Sequence, residues 1–213
     1  MPSAYLTEVR LNTRSRDVRA DLANGGYGFH HRTNRLIDAA PDTPTGEARL
    51  LWRLDTFNNG LRLLIQSHQQ PDPTTLPEHY GHARTLPLDK HLTRLTAGQK
   101  VRYRLAGNSV RFGYDEITGL PRPNRVPCKG EEITQWWSRR APEAGLDLET
   151  TTTYGLPTVT GDDSRKPGFR LVLTRYDGIA TITNPDALRT AMLTGIGRGK
   201  AFGAGLLTIA ASL

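Results

Sequence analysis

Asn184-Pro185-Asp186-Ala187-Leu188-Arg189-Thr190-Ala191-Met192-Leu193 leads into Gly195-Ile196-Gly197-Arg198-Gly199-Lys200-Ala201-Phe202-Gly203-Ala204-Gly205, then into Leu206-Leu207-Thr208-Ile209-Ala210. The predicted order is helix, glycine-rich loop, strand. Asparagine followed by proline marks a helix N-terminus, and the apolar spacing after it is helical. The loop holds five glycines and two cations in eleven residues, so its backbone is free to take positive φ and to approach a ligand closely. Bare amides beside Arg198 and Lys200 suit a phosphate backbone. A mononucleotide cradle needs a strand before the loop and a helix after it, and Ala201 stands where a magnesium-holding Ser or Thr is required. The competing reading is a charged helix-to-strand connection.

Upstream of this unit, Lys100-Val101-Arg102-Tyr103-Arg104-Leu105 alternates with period two, which predicts a strand with Lys100, Arg102 and Arg104 together on one face. A helix is expected over Gly130 to Arg140, and strands over Leu146 to Val159, Arg170 to Tyr176 and Ile179 to Thr183. The first half gives a similar order. Ala4 to Leu11 reads as a strand, then 14–23 and 27–38 as helices broken at Asn24-Gly25-Gly26. Arg49 to Asp55 and Leu61 to Ser67 read as strands joined at Phe57-Asn58-Asn59-Gly60, and Thr74 to Gly81 as a short helix. Each half therefore reads β-α-β-β-α-β. The expected class is α+β, with two tandem ferredoxin-like (RRM-like) βαββαβ domains over 1–95 and 96–213.

The chain of 213 residues carries a net charge of +7 and a sequence pI near 9.8. Most of the excess lies in the second half, with 16 Lys and Arg against 11 Asp and Glu after residue 95. An acidic partner is implied, nucleic acid before an anionic membrane. A lone cysteine, Cys128, excludes an internal disulfide and a cysteine-cluster metal site. No apolar run is long enough to span a bilayer, and Met1-Pro2-Ser3 has no signal-peptide character. A cytoplasmic location is expected. His68, His79, His82 and His91 show no metal-ligand spacing and read as surface or core side chains; no metal or other cofactor is expected. Trp52 reads as core, as does at least one of Trp136 and Trp137.

Gly195 to Leu207 fits a G-x-G-x-G-K-[AS]-x-G-x-G-L-L loop at each glycine and at Lys200. Tyr27-Gly28-Phe29-His30 follows the first strand and an arginine-bearing helix, and Leu50-Leu51-Trp52-Arg53-Leu54 follows in turn. With these motifs the whole chain resembles the CasE family, the endoribonucleases that process CRISPR precursor RNA within the type I-E Cascade complex. The resemblance implies metal-independent cleavage by the 2′-OH, leaving a 2′,3′-cyclic phosphate and a 5′-OH. It implies a CRISPR repeat stem-loop and other Cascade subunits as partners, no membrane, and a monomer when free. It also implies a basic hairpin for RNA, matched here at Gly161 to Gly168 with Arg165 and Lys166. The family has Arg directly after the catalytic His, whereas here His31 intervenes and the cation is Arg32. The three-residue spacing from Tyr27 selects His30 over His31.

Tyr27 and His30, at i and i+3, share one helix face. Histidine titrates near neutrality and can serve as acid or base, while Tyr27 can orient the attacking hydroxyl or the phosphate. Gly197, Gly199, Gly203 and Gly205, with Arg198 and Lys200, are the expected phosphate contacts. Arg102, Arg104, Arg125 and Lys129 are further expected RNA contacts, although Arg122 to Lys129 reads equally as a solvated loop. A non-catalytic RNA-binding module of the same double fold is the main alternative, and a mononucleotide enzyme a third.

Overall fold

In the computed structural model, which describes residues 4–37, 50–57, 60–114, 118–163 and 166–211, the alternation after Gln99 becomes strand β5 (Lys100–Gly107). Val101, Tyr103 and Leu105 are buried, while Lys100 and Arg102 are exposed on the other face. Strand β5 lies inside a four-stranded sheet with β8 (Leu146–Gly155), β11 (Thr174–Ile182) and β12 (Leu207–Ala211), in the order β12-β5-β11-β8. A first sheet is built the same way from β1 (Tyr5–Leu11), β2 (Leu51–Phe57), β3 (Gly60–Ser67) and β4 (Gly81–Pro87), in the order β2-β3-β1-β4. All these pairings are antiparallel, and the first and third strands of each unit lie at the centre. That arrangement is the ferredoxin-like order, twice.

Helices α1 (Arg16–Ala23) and α2 (Gly25–Arg35) cover the first sheet, and Val9, Val18, Phe29, Trp52, Leu63 and Ile65 fill the space between. Helices α4 (Glu131–Ser138) and α5 (Pro185–Thr194) cover the second, over Tyr103, Trp136, Trp137, Tyr176 and Leu188. Both tryptophans of α4 are buried core, which leaves neither for base stacking. The short α3 (Asp89–Thr93) connects the sheets, and Leu88, Leu92 and Leu95 pack into the second core. At the head of α5 the Asn184 side chain accepts from the Asp186 and Ala187 amides, both at 3.1 Å, as the Asn-Pro signal requires.

Several expected elements differ. Thr74 to Gly81 is not a helix: one 3₁₀ turn, Pro73–Thr75, is held by the Asp72 carboxylate, and the chain then enters β4. Strand β4 is an edge strand with most side chains exposed, so its sequence carries little apolar alternation. The expected 146–159 strand divides into β8 and β9 (Val159–Asp163), and β9 pairs with β10 (Lys166–Leu171) as a hairpin inserted into the second unit. The 170–176 and 179–183 strands are instead the end of β10 and one continuous β11. Gly178 lies inside β11 because Tyr103 Oη would sit 2.7 Å from a Cβ there. A second inserted hairpin pairs β6 (Val110–Tyr114) with β7 (Pro121–Pro127), and β7 takes up most of the Arg122 to Lys129 segment that also reads as a solvated loop.

Two strands hold the sheets together. On β2, Trp52 faces α2 and, by alternation, Arg53 faces the second sheet. The Arg53 guanidinium forms a bidentate pair with Asp55 at 2.9 and 3.0 Å. It also donates to the Arg104 and Leu206 carbonyls and to Thr208 Oγ1. Gln66 on β3 donates to the Met192 carbonyl at 2.7 Å, and Leu51 and Leu64 pack on Leu206.

Candidate functional site

Helix α2 starts at Gly25 and ends at Arg35, displaced from the expected 27–38; Asp38 lies outside the described residues. Asn24 ends α1 and Gly25, at φ 56°, turns the chain into α2. Gly26 and Gly28 belong inside the helix because a side chain at either would collide. A Cβ at Gly26 would stand 2.5 Å from Val159 and 2.9 Å from Phe202, and one at Gly28 would stand 2.5 Å from the Asp21 carbonyl. These glycines report close approach rather than a break.

The rotation of α2 is fixed by a buried trio. Arg32 Nε donates to Asp21 at 2.8 Å, Tyr80 Oη donates to the same carboxylate at 2.7 Å, and the guanidinium lies 4.9 Å from the Tyr80 ring. Burial and the Asp21 acceptor both push the Tyr80 hydroxyl far above its ordinary range. For Arg32, burial pulls the guanidinium down but Asp21 more than offsets it. The cation that follows the two histidines is thus tied to α1. With Phe29 and Thr33 turned inward, Tyr27 and His30 are left half-buried and His31 exposed. The His31 ring stacks on Tyr27 at 6.2 Å, and the two imidazoles are 5.6 Å apart.

The glycine loop reaches this helix from the far end of the chain. Phe202, on the 3₁₀ turn Lys200–Phe202, lies 5.3 Å from Tyr27 and 5.7 Å from His30 between ring centres. Phe169 of β10 lies 4.2 Å from Phe202 and 5.5 Å from Tyr27. Helix α2, the loop and the β9–β10 hairpin therefore meet at one aromatic cluster.

All five loop glycines have positive φ, from 75° at Gly195 to 89° at Gly205. Packing demands them as much as ligand approach does. A Cβ at Gly203 would be 2.8 Å from the Trp52 ring, one at Gly197 3.1 Å from Trp136, and one at Gly195 2.7 Å from Leu51. Much of the loop's amide capacity is used internally: Ile196 donates to Gly205, Phe202 and Ala204 to Gly199, and Gly205 to Ala106. The amides of Gly197, Arg198 and Gly199 donate to no backbone carbonyl among the described residues. That stretch, with the exposed Arg198, is the part open to an anion. Lys200 is turned back: its Nζ donates to the Thr194 carbonyl at 2.7 Å, and burial holds the ammonium below the ordinary lysine range.

The other expected cations are dispersed. Arg125 is exposed on β7, 4.1 Å over the Phe112 ring, and Lys129 is exposed just after it. This hairpin roots beside the loop, since Asn108 Nδ2 would sit 3.6 Å from a Cβ at Gly199. Lys166 is on β10, and Arg165 lies outside the described residues. Arg102 and Arg104 are on the face of β5 turned to β2, opposite the side of β2 that carries α2. Arg104 is already matched by Asp177 at 2.7 and 2.8 Å, with Asp55 at 3.7 Å. The patch expected from Lys100, Arg102 and Arg104 is thus divided, because Lys100 pairs with Glu149 at 2.8 Å. Among the described residues no three His, Cys, Asp or Glu side chains converge as a metal set.

A protein family described as CRISPR associated protein matches residues 4–211. The chain belongs to that family. It is similar to the CRISPR-associated endoribonuclease Cse3 of Thermus thermophilus, at 28% identity over 97% of this chain and 99% of that one. It is also similar to the CRISPR system Cascade subunit CasE of Escherichia coli, at 25% identity over 97% and 98%. A structure of Thermus thermophilus Cse3 bound to an RNA representing a pre-cleavage complex superposes with a TM-score of 0.78, at 28% identity over 98% of this chain and 99% of that chain. The resemblance to the CasE family read from the motifs is confirmed.

Within this CRISPR-associated fold the Leu50 to Leu54 motif acquires a physical meaning. Trp52 Nε1 donates to the Ala201 carbonyl at 3.0 Å and its ring floors Gly203, so the motif strand holds the loop against α2. Gly203→Ala should lower unfolding free energy by about 1–3 kcal/mol, from a non-glycine residue at positive φ plus the contact with Trp52. Urea denaturation measures it, and an unchanged midpoint would mean the loop does not need the Trp52 floor. Sequence reading missed Phe169, Phe202 and the Arg53–Asp55 pair. A charged pair two residues apart at the end of the largely apolar run Leu50 to Asp55 was a signal for the last of these; for the two phenylalanines, only Phe202's place inside the loop was a hint.

Proposed function

We propose that this chain is a metal-independent endoribonuclease that cuts a CRISPR repeat stem-loop in precursor RNA and stays on the product as a Cascade subunit in the cytoplasm. The observation that carries the reading is the meeting of Tyr27 and His30 with the glycine loop at Phe202, in a chain of this family. RNA supplies its own nucleophile. The 2′-OH attacks the adjacent phosphorus, the bond to the 5′-oxygen breaks, and a 2′,3′-cyclic phosphate and a 5′-OH result.

His30 acts in proton transfer, at the 2′-OH or at the departing oxygen, as an imidazole can near neutral pH. The Tyr27 hydroxyl orients the reacting group. Arg198 and the amides of Gly197 to Gly199 face the charge that grows on phosphorus. Arg125, Lys129 and the β9–β10 hairpin with Lys166 and Arg165 hold the RNA backbone. Arg102 and Arg104 are set apart from this surface.

Cleavage of a labelled repeat stem-loop in excess EDTA, with a cyclic phosphate on the upstream product, is the expected result. Tight binding without cleavage would reduce the chain to an RNA-holding module. Each phosphate neutralised should add about −0.7 to −0.9 to the slope of log affinity against log salt, so Arg125→Ala should flatten that slope by about one contact. A slope that does not change removes Arg125 from the RNA surface.

A further inference from the structure

Tyr27, Phe169 and Phe202 are only partly buried, and none belongs to the buried clusters that hold the two sheets and their helices together. Their contacts with one another are therefore not explained by core packing. Phe202 is also presented from an unusually well-braced place. Its turn is bounded by Gly199 and Gly203, both left-handed at φ 82° and 86°. Its amide donates to the Gly199 carbonyl at 2.9 Å, and Trp52 holds the neighbouring Ala201 carbonyl. From that fixed point one ring touches both Tyr27 and His30.

The hairpin side is built differently. Phe169 makes the shortest of the three ring contacts to Phe202, and the β9–β10 register shifts between Lys166 and Phe169. An irregularity of this kind aims a side chain and lets a strand bend locally. One end of the cluster is held by the Gly199 and Ala201 contacts, and the other sits beside a break in strand register.

We propose that Phe202 is the positioning residue of the site, setting the Tyr27 and His30 rings, and that Phe169 makes their setting respond to the β9–β10 hairpin. The proposal rests on the endoribonuclease reading and adds regulation by the RNA-holding hairpin. A substrate that engages the hairpin moves Phe169, Phe169 moves against Phe202, and the reacting side chains are brought into line. An RNA lacking that contact binds but is cut slowly.

The test uses the full chain with single-turnover cleavage at saturating stem-loop RNA, RNA affinity, melting temperature, and the imidazole NMR signals of His30. Phe202→Ala should slow cleavage by about 10–100-fold, the cost of a misplaced reacting group, with affinity and melting temperature unchanged. Phe202→Tyr, which keeps the ring, should restore the rate. Should Phe202→Ala not fold, Phe202→Leu is judged by the same criteria. Phe169→Ala should shift the His30 signals in the wild-type background and leave them in place when Phe202 is leucine. Wild-type cleavage rates in Phe202→Ala, or His30 signals indifferent to Phe169→Ala, overturn the proposal. If the wild-type chain cuts no RNA, the endoribonuclease reading fails, and the His30 signals still decide whether the aromatic coupling exists.

Discussion

His30→Ala is expected to slow single-turnover cleavage by about 10²–10⁴-fold, the usual contribution of a positioned acid or base, while RNA affinity stays at the wild-type level. The reason is geometric. His30 is half-buried against Phe202 and next to Tyr27, so it contributes little contact area to a bound RNA. His31→Ala should leave the rate nearly unchanged, since His31 is exposed and stacked on Tyr27. Both variants should be compared in EDTA, with the cyclic phosphate followed directly. A collapse in His31→Ala with a normal His30→Ala would shift the assignment by one residue, and equal losses would mean that the two imidazoles share the proton transfers.

The second large effect concerns stability. Asp55→Asn should cost about 3–5 kcal/mol, because it leaves the Arg53 guanidinium buried without its counter-charge. Arg53 and Asp55 side chains are 2% and 1% exposed, so no water compensates. Native domains have only about 5–15 kcal/mol to lose. Burial works against the carboxylate, but the Arg53, Arg104 and Arg62 guanidiniums more than offset it and hold Asp55 below its ordinary carboxylate range. Its folded value is therefore depressed. The stabilisation is complete at neutral pH and is lost as pH falls below about 4 toward the folded value. Urea titrations at pH 7 and pH 3 should show a large gap between wild type and Asp55→Asn at pH 7 that narrows at pH 3. A gap independent of pH would assign the effect to packing instead of charge.

How far the sequence could be read depended on the range of the interaction. The Asn184 cap, the period of β5 and the helix with Ile133 and Trp137 are local signals, and each predicted its element. The β6–β7 hairpin was hidden by Pro121, Pro123 and Pro127, which look like breakers yet are tolerated where a strand is paired on only one side. Asn24-Gly25-Gly26 does mark the break between α1 and α2, but the contact of Gly26 with Val159 and Phe202 joins segments more than a hundred residues apart and leaves no local signal. The same holds at the site. Spacing and the family resemblance single out Tyr27 and His30, and the structure sets both against Phe202. Lys200 and Arg104 are expected RNA contacts whose bonds to the Thr194 carbonyl and to Asp177 no local pattern announces. No window of sequence contains the meeting of residues 27, 169 and 202.

That meeting also orders events in time. The helix bearing His30 is synthesised early, whereas the loop that packs on it is made after the whole second sheet but its final strand. At about 5–20 residues per second, the helix waits roughly 10–30 s for its counterpart. During that interval the growing chain carries the histidine without the aromatic cluster around it, so on the proposed reading a ribosome making this protein would not expose nearby transcripts to a working nuclease.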